Sequence, residues 1–259
     1  MDLGIAGRKA IVCASSRGLG RGCAMALAEA GCDLVLNGRD AATLEATAAD
    51  LAGRFKVRVT AIPGDVSTPE VQRALLAACP EVDILVNNNG GPPRRDFHDL
   101  DRGAILTGVV QNMVTPIELI RAVIDGMAAR GFGRIVNITS GSVVAPIAGL
   151  DLSSGARAGL TAFLAGVCRE FADRNVTVNN ILPGKMDTDR FNSSVRARAA
   201  KSARPEQELR QAALSEIPAR RLGTAEEFGQ ICAFLCSRHA GYVTGRNILV
   251  DGGLFPGTF

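Results

Sequence analysis

A chain of 259 residues that is 47% hydrophobic carries ample material for a large buried core. Its 29 basic and 26 acidic side chains leave a formal charge of only +3, too small and too dispersed to point to nucleic acid. Length allows one or two domains; no repeat, linker or low-complexity segment interrupts the chain, so a single domain over 1–259 is expected.

The opening MDLGIAGRKAIV has no long apolar stretch before its first charges. No uninterrupted apolar run reaches the ~18 residues that span a bilayer, so a cytoplasmic location without a membrane partner is expected. KAIVCAS then reads as a strand, followed by a glycine turn and the helix GRGCAMALAEAG. DLVLN is a second strand. AATLEATAADLAGRF is a helix, with Leu44, Ala48 and Leu51 at helical spacing. KVRVTAI, VSTPEVQRALLAAC and DILVN continue as strand, helix and strand. ILTGVVQNMVTPIELIRAVIDGMAARG is one long helix, RIVNIT a strand, SSGARAGLTAFLAGVCREFA a helix and NVTVNNIL a strand. The stretch from Pro183 to about Pro205 is polar and is expected to be irregular, within a substrate lid at about 185–215. TAEEFGQICAFLCSR opens with a capping-box pattern, Thr224 and Glu227, and NILV is the last strand. RRDF after Pro93 and RPEQELRQ read as solvated faces.

Strands rich in Val, Ile and Leu, separated by helices, belong in a parallel sheet buried on both faces. The expected fold is a Rossmann-like doubly wound α/β architecture in three layers. Seven cysteines, none in a CxxC pair, suggest buried small side chains in a reducing compartment and no metal site. Cys232 and Cys236 stand one helical turn apart.

The turn after the first strand, CASSRGLGRG, places Gly18 and Gly20 at the opening of a helix, where backbone N–H groups and the helix dipole favour a pyrophosphate. The second strand ends LVLNGRD, so Arg39 stands where an acidic residue would hold a ribose 2′-OH. With Arg17 in the turn itself, two cations suit a 2′-phosphate, and NADP(H) is favoured over NAD(H). Asp40 is expected to cap the following helix.

With these residues in place the chain resembles the short-chain dehydrogenase/reductase family, especially its 3-oxoacyl carrier-protein reductase branch, from about Gly7 to Gly253. ASSRGLG is similar to the glycine motif, with Ala14 where the first glycine usually stands. GDV, with Asp65, resembles the adenine-contacting step; NNNG, Asn87 to Gly90, the Asn-Asn-Ala-Gly motif. Asn112 matches the helix asparagine and Ser140 the catalytic serine. LPGKMDT, Pro183 to Thr188, resembles the nicotinamide loop, and YVTGRNILVDGG the C-terminal strand motif. The resemblance implies cofactor contacts from Ser15, Ser16, Arg17, Gly18, Leu19 and Gly20, from Arg39, Asp65 and Val66, from Asn87, Asn88 and Gly90, and from Arg157, Pro183, Gly184 and Thr188. It also implies a homotetramer or dimer, paired through helices at Leu106 to Arg130 and Ser154 to Phe171.

The family's active site is an Asn, Ser, Tyr, Lys set. Counting from Ser140 puts Ser153 at the tyrosine position and Arg157 at the lysine position. Tyr242, the only tyrosine, lies in the GYVTG motif, where a structural role is expected. Arg157 has the donors to keep a ribose contact, but its pKa above ~12 prevents it from releasing a proton. Losing a positioned acid–base group costs ~10²–10⁴ in rate, whereas orientation contributes ~7–11 kcal/mol, so a reductase remains physically possible. Candidate replacement acids are Asp151, His98, Lys185 and a relayed water. The expected function is an NADP(H)-dependent oxidoreductase on a small carbonyl or secondary alcohol, free or attached to an acyl carrier, with Asn112, Ser140, Ser153 and Arg157 as catalytic set. The alternatives are a silent nucleotide-binding protein and a non-redox lyase or dehalogenase on the same fold.

Overall fold

The structure, a computed structural model, describes residues 1–92 and 94–258. Seven strands alternate with helices: β1 Lys9–Val12, α1 Gly18–Glu29, β2 Asp33–Gly38, α2 Ala41–Phe55, β3 Val59–Pro63, α3 Pro69–Ala78, β4 Ile84–Asn87, α4 Arg102–Val109, α5 Thr115–Ala129, β5 Gly133–Ile138, α6 Asp151–Glu170, β6 Val176–Pro183, α7 Asp189–Ser202, α8 Glu206–Ser215, α9 Ala225–Cys236 and β7 Asn247–Val250. They form one sheet in the order β3-β2-β1-β4-β5-β6-β7. Every neighbouring pair is parallel, from Ile11 opposite Val35 to Ile181 opposite Ile248.

The absence of polar alternation in the strands has a direct cause. Along β1, Ala10 and Val12 face the layer of α1, α2 and α9, while Ile11 and Cys13 face that of α3, α5 and α6. The first layer contributes Leu27, Leu44, Leu51 and Phe228; the second Leu75, Leu119, Ile124, Leu160 and Leu164. Both faces of the sheet are covered, so both side-chain sets must be apolar.

Helix caps follow the sequence. Asp40 accepts from Thr43 N at 2.8 Å, and Thr224 and Glu227 form a complete capping box. Lys56 takes a left-handed conformation (φ 59) as the C-cap of α2, so β3 begins at Val59, later than its apolar pattern suggests. All seven cysteines are free and buried, and no metal-binding group of His, Cys, Asp or Glu occurs among the described residues.

Two expectations are corrected, on the stretch after Pro183 and on Tyr242. The polar stretch from Pro183 to Pro205 is not irregular: α7, capped by Thr188, occupies most of it, and α8 follows directly. Only Val195 of α7 is buried, so the helix carries no apolar stripe for a sequence to display. The helical segment Arg102–Ala129 is 28 residues long, and its most apolar window has mean hydropathy 1.3, enough by length and composition to cross a membrane. One of its sides closes the core through Leu119, Ile120 and Val123, while Ile105, Leu106, Val110 and Val114 are exposed. Tyr242 is fully exposed at 103%, so it packs on nothing among the described residues.

Candidate active site

β1 pairs with β2 on one side and β4 on the other, so the chain reverses its winding direction there. A crevice opens at the carboxyl ends of strands at such a point. The turn after β1 is tightly fixed. Ser15 is fully buried, and its hydroxyl donates to Val12 O at 2.8 Å, a contact that pins the turn rather than faces the cleft. Ala14 adopts φ 44, and its carbonyl accepts from Asn88 Nδ2 at 3.1 Å. A Cβ on Gly20 would overlap that carbonyl and stand 2.9 Å from Asn88 Nδ2. Gly18, at φ +54, opens α1, whose N-cap residue Arg17 supplies no side-chain cap and whose first turn holds no acid. The free N–H groups of that helix end therefore face the crevice uncompensated, the arrangement an anionic diphosphate needs.

Around this turn, Leu19 packs against the core and Ser16 stands beside Gly38. Arg17 donates to Thr43 Oγ1 at 2.8 Å and lies 4.0 Å from Asp40. Arg39 extends across to the loop after β4: its Nη2 is 3.9 Å from where a Cβ of Gly90 would be. Asp65 has one carboxylate oxygen engaged by Ser67 N and Oγ at 2.9 and 2.6 Å. Val66 is buried beside it and lines the inner cavity described below. Gly184 N bonds Val250 O at 3.0 Å, fixing the start of the loop after Pro183. That loop returns to the turn: the Thr188 methyl is 3.7 Å from the Cβ position of Gly18.

The other end of the crevice holds the amides. Val110–Val114 is a π-turn within the long helix, with Asn112 at its centre. Asn112 Nδ2 donates to Gly108 O at 3.1 Å, while its Oδ1 and that of Asn87 are buried and unpartnered among the described residues. Both line a cavity of about 20 Å³, room for about one water, together with Asn88, Asn89, Asn137 and Arg157. Ser140 follows β5, and its Oγ accepts from Ser142 N at 3.1 Å.

Ser153 and Arg157 lie one turn apart on α6, both buried. Arg157 Nε donates to Ser153 Oγ at 3.0 Å, Nη1 to Ile138 O at 2.6 Å and Nη2 to Asn89 O at 3.5 Å. Burial, with a lesser push from the Arg190 guanidinium, lowers its pKa to about 10, so it remains a cation at neutral pH. Three suggested acids are placed away from the cavity. Asp151 and His98 are exposed, the latter edge-on to Phe97, and Lys185 is tied to Glu216 and to Ala213 O.

Asn89, Arg94 and Arg190 carry geometry that the sequence reading missed. Asn89 bridges Gln111 O at 3.2 Å and Arg157. Arg190, within the polar stretch after Pro183, reaches back to the loop after β4.

Comparison with known proteins gives the same frame. A family model described as enoyl-(acyl carrier protein) reductase matches residues 13–255. The NADPH-dependent reductase BacG of Bacillus subtilis is 30% identical over 251 residues, covering 95% of this chain and 97% of that protein. The 3-oxoacyl-[acyl-carrier-protein] reductase FabG of Vibrio cholerae is 33% identical over 259 residues, with 98% and 99% covered. Among solved structures, L-sorbose reductase from Gluconobacter frateurii, complexed with NADPH and L-sorbose, superposes with a TM-score of 0.93 at 29% identity, covering 99% of this chain and 100% of that one.

Proposed function

The chain belongs to the short-chain dehydrogenase/reductase family, in its 3-oxoacyl carrier-protein reductase-like branch, and from this premise we propose that it is an NADP(H)-dependent oxidoreductase acting on a small carbonyl or secondary alcohol. The observation that carries the reading is the diphosphate cradle. Gly20 has no room for a side chain against Ala14, and the uncapped start of α1 opens onto the crevice. Gly18 and Thr188 would hold the diphosphate, Arg17 and Arg39 the 2′-phosphate, and Asn88 and Gly90 the adenosine side. Arg157 would keep the nicotinamide ribose contact. When bound, the nicotinamide supplies or takes the hydride.

The protein's own groups manage the proton. Ser140 orients the substrate oxygen. Ser153 Oγ already accepts from Arg157 Nε, so its O–H is left to donate, and the adjacent cation stabilises negative charge that develops on that oxygen. A water between Asn87 Oδ1 and Asn112 Oδ1 would resupply the proton. This relay replaces the direct tyrosine donor, since Asp151 and His98 are exposed and Lys185 is tied to Glu216 and Ala213 O.

The helices α7 and α8 act as the substrate lid. The exposed Ile105, Leu106, Val110 and Val114, with Phe163 of α6, support pairing of copies through the long helices. The deciding experiment measures NADPH oxidation across a panel of ketones and aldehydes, beside thermal melts with NADPH. At ~100 times its dissociation constant, NADPH is expected to stabilise the fold by about 2.7 kcal/mol. Stabilisation without turnover across the panel would make the protein a silent binder.

A further inference from the structure

The crevice holds more positive charge than a dinucleotide and a neutral ketone require. We propose that Arg190, flanked by Arg94 and backed by Arg157, seats the carboxylate of an oxo-acid substrate; this rests on reading the cleft as an oxidoreductase site. The three guanidiniums come from three elements, α7, the loop after β4, and α6. None has a carboxylate within 4.0 Å among the described residues, whereas Arg17, Arg21 and Arg210 each have one. Instead, Arg190 touches Gly91 O at 3.3 Å and Pro92 O at 3.5 Å, and Arg94 touches Ala148 O at 3.0 Å. Arg157, behind them, holds Ser153 and the last carbonyl of β5.

A guanidinium without a carboxylate is not in itself a site. Arg134 also has none, yet it is buried at 1% exposure, stacks on Phe132, and binds Ser237 O, Gly133 O, Asn175 O and Asn175 Oδ1 at 2.8–3.1 Å. Its donors are committed and it carries a structural load. Arg190 differs on each count. Its two contacts are long, its residue is exposed, and the loop it touches at Gly91 and Pro92 also carries Arg94 and receives Arg157 at Asn89; burial first, and then the Arg94 guanidinium, lower its pKa. Like charges gathered without a counter-ion raise the free energy of the empty cleft, and an anion between them recovers it. A planar carboxylate matches the fork of a guanidinium in two parallel hydrogen bonds. Arg190 and Arg157 reach the same loop after β4, the one at Gly91 and Pro92 and the other at Asn89, so an acid seated on Arg190 has its carbonyl toward the Ser153–Arg157 pair.

The anion has a second possible source, the cofactor's phosphates, and the test separates the two. The protein loaded with NADP⁺ is titrated with malonate by calorimetry. NADPH oxidation is then followed with acetoacetate and, separately, with its ethyl ester. Malonate is expected to bind and to compete with acetoacetate, and kcat/KM to favour the acid over the ester by about tenfold or more, the factor one charge-assisted hydrogen bond supplies. Arg190→Gln is expected to bring that ratio to about one and to weaken malonate by about the same factor, with Arg190→Lys between. Arg94→Gln, judged folded by its melt, provides a second variant with the same direction. Absence of malonate binding, or equal use of acid and ester by the unmodified protein, overturns the seat. Arg190→Gln weakening NADPH as much as malonate assigns the guanidinium to the cofactor and also overturns it. Arg190-dependent malonate binding with no reduction of either compound upholds the seat and removes the oxidoreductase reading instead.

Discussion

Asn87 and Asn137, directly opposite on β4 and β5, share a side-chain hydrogen bond of 2.9 Å that begins a ladder across four strands. Asn137 passes its amide to Asn180 at 2.9 Å, and Asn180 passes its own to Asn247 at 2.8 Å. All the amides point the same way, and bonds in such a chain polarise one another. The ladder's free end is Asn87 Oδ1, in the cavity beside Asn112, which makes that oxygen a strong acceptor for the relay water. Asn137→Leu strands Asn87 Nδ2 and Asn180 Oδ1, each at about 1–3 kcal/mol. A loss of about 2–5 kcal/mol in urea unfolding is expected. Asn247→Leu, at the exposed end, is expected to cost under about 1 kcal/mol, because water satisfies Asn180 there. Equal losses at the two positions would mean that the ladder is not a buried unit.

Ala14 occupies a conformation suited to glycine, φ 44, at the first position of the dinucleotide turn. A residue with a Cβ in the left-handed region costs about 1–2 kcal/mol. Ala14→Gly relieves this but loosens the unfolded chain by about 0.4–1 kcal/mol. A net stabilisation of about 0.5–1 kcal/mol is expected in a thermal melt, with nucleotide binding retained. A destabilised variant would show that the Ala14 methyl makes a packing contact worth more than the strain.

Arg39 and Arg17 are unequal. Arg39 lies across the crevice toward Gly90, whereas the Arg17 side chain is 61% exposed and already tied to Thr43 and Asp40. A charge-assisted hydrogen bond contributes about 1.5–3 kcal/mol. Arg39→Ala is therefore expected to weaken NADPH by about tenfold or more by calorimetry, leaving NADH little changed. Arg17→Ala is expected to have the smaller effect. Equal affinity of the unmodified protein for the two nucleotides sinks the assignment.

The fold was legible because its signals are local. Apolar strand runs, the Gly18–Gly20 turn and the Thr224–Glu227 box each lie within a few residues. Asp40 as a cap needed only its neighbours. The failures are of another kind. Helix α7 buries one residue, so no period marked it. The π-turn at Asn112 is a change of hydrogen-bond register, which leaves no trace in residue type. The ladder joins positions 87, 137, 180 and 247, four strands that only the sheet makes adjacent. The role of Arg190 depends on Gly91, nearly a hundred residues away, and no local pattern marks it.

Glu227 provides a pH signature remote from the cleft. Arg221, bonded to it at 2.6 and 2.8 Å, and then Thr224 N lower its pKa from 4.5 to about 2. A depressed carboxylate contributes stability that is fully present above its unfolded pKa and lost as pH falls through the folded one. The contribution therefore fades between about pH 4.5 and pH 2. Because the pair is exposed, solvent screening holds it to about 1 kcal/mol or less. Glu227→Gln is expected to be less stable than the unmodified protein at pH 7 and equal to it near pH 2. A gap that persists at the acid end would mean that the box works through geometry and not through charge.

The last prediction concerns the pair at the centre of the site. Ser153 is 4% exposed and Arg157 8%, and Arg157 spans from Ser153 Oγ to the Ile138 carbonyl. Ser153→Tyr, Arg157→Lys restores the family's tyrosine and lysine. Lysine ends in a compact ammonium without the fork that bridges those two oxygens, so the space and one contact of the guanidinium are released to the new ring. The double variant is expected to raise reduction of a neutral ketone with NADPH by about ten- to a hundredfold, the lower part of what a positioned acid supplies. Each single change is expected to do less. Tyrosine beside the retained arginine overfills a packed site, at about 1–3 kcal/mol of stability. Lysine alone leaves no acid whose pKa it can tune. The effects are therefore non-additive, as for groups that act as a unit. The check is steady-state kinetics on all four proteins, with melts and NADPH binding to show that each is folded and loaded. A folded, NADPH-binding double variant with no gain would mean that the cavity around Asn87, Asn112 and Arg157 has been shaped for a different proton path. The water relay would then be the site's working arrangement, and not the remnant of a lost tyrosine.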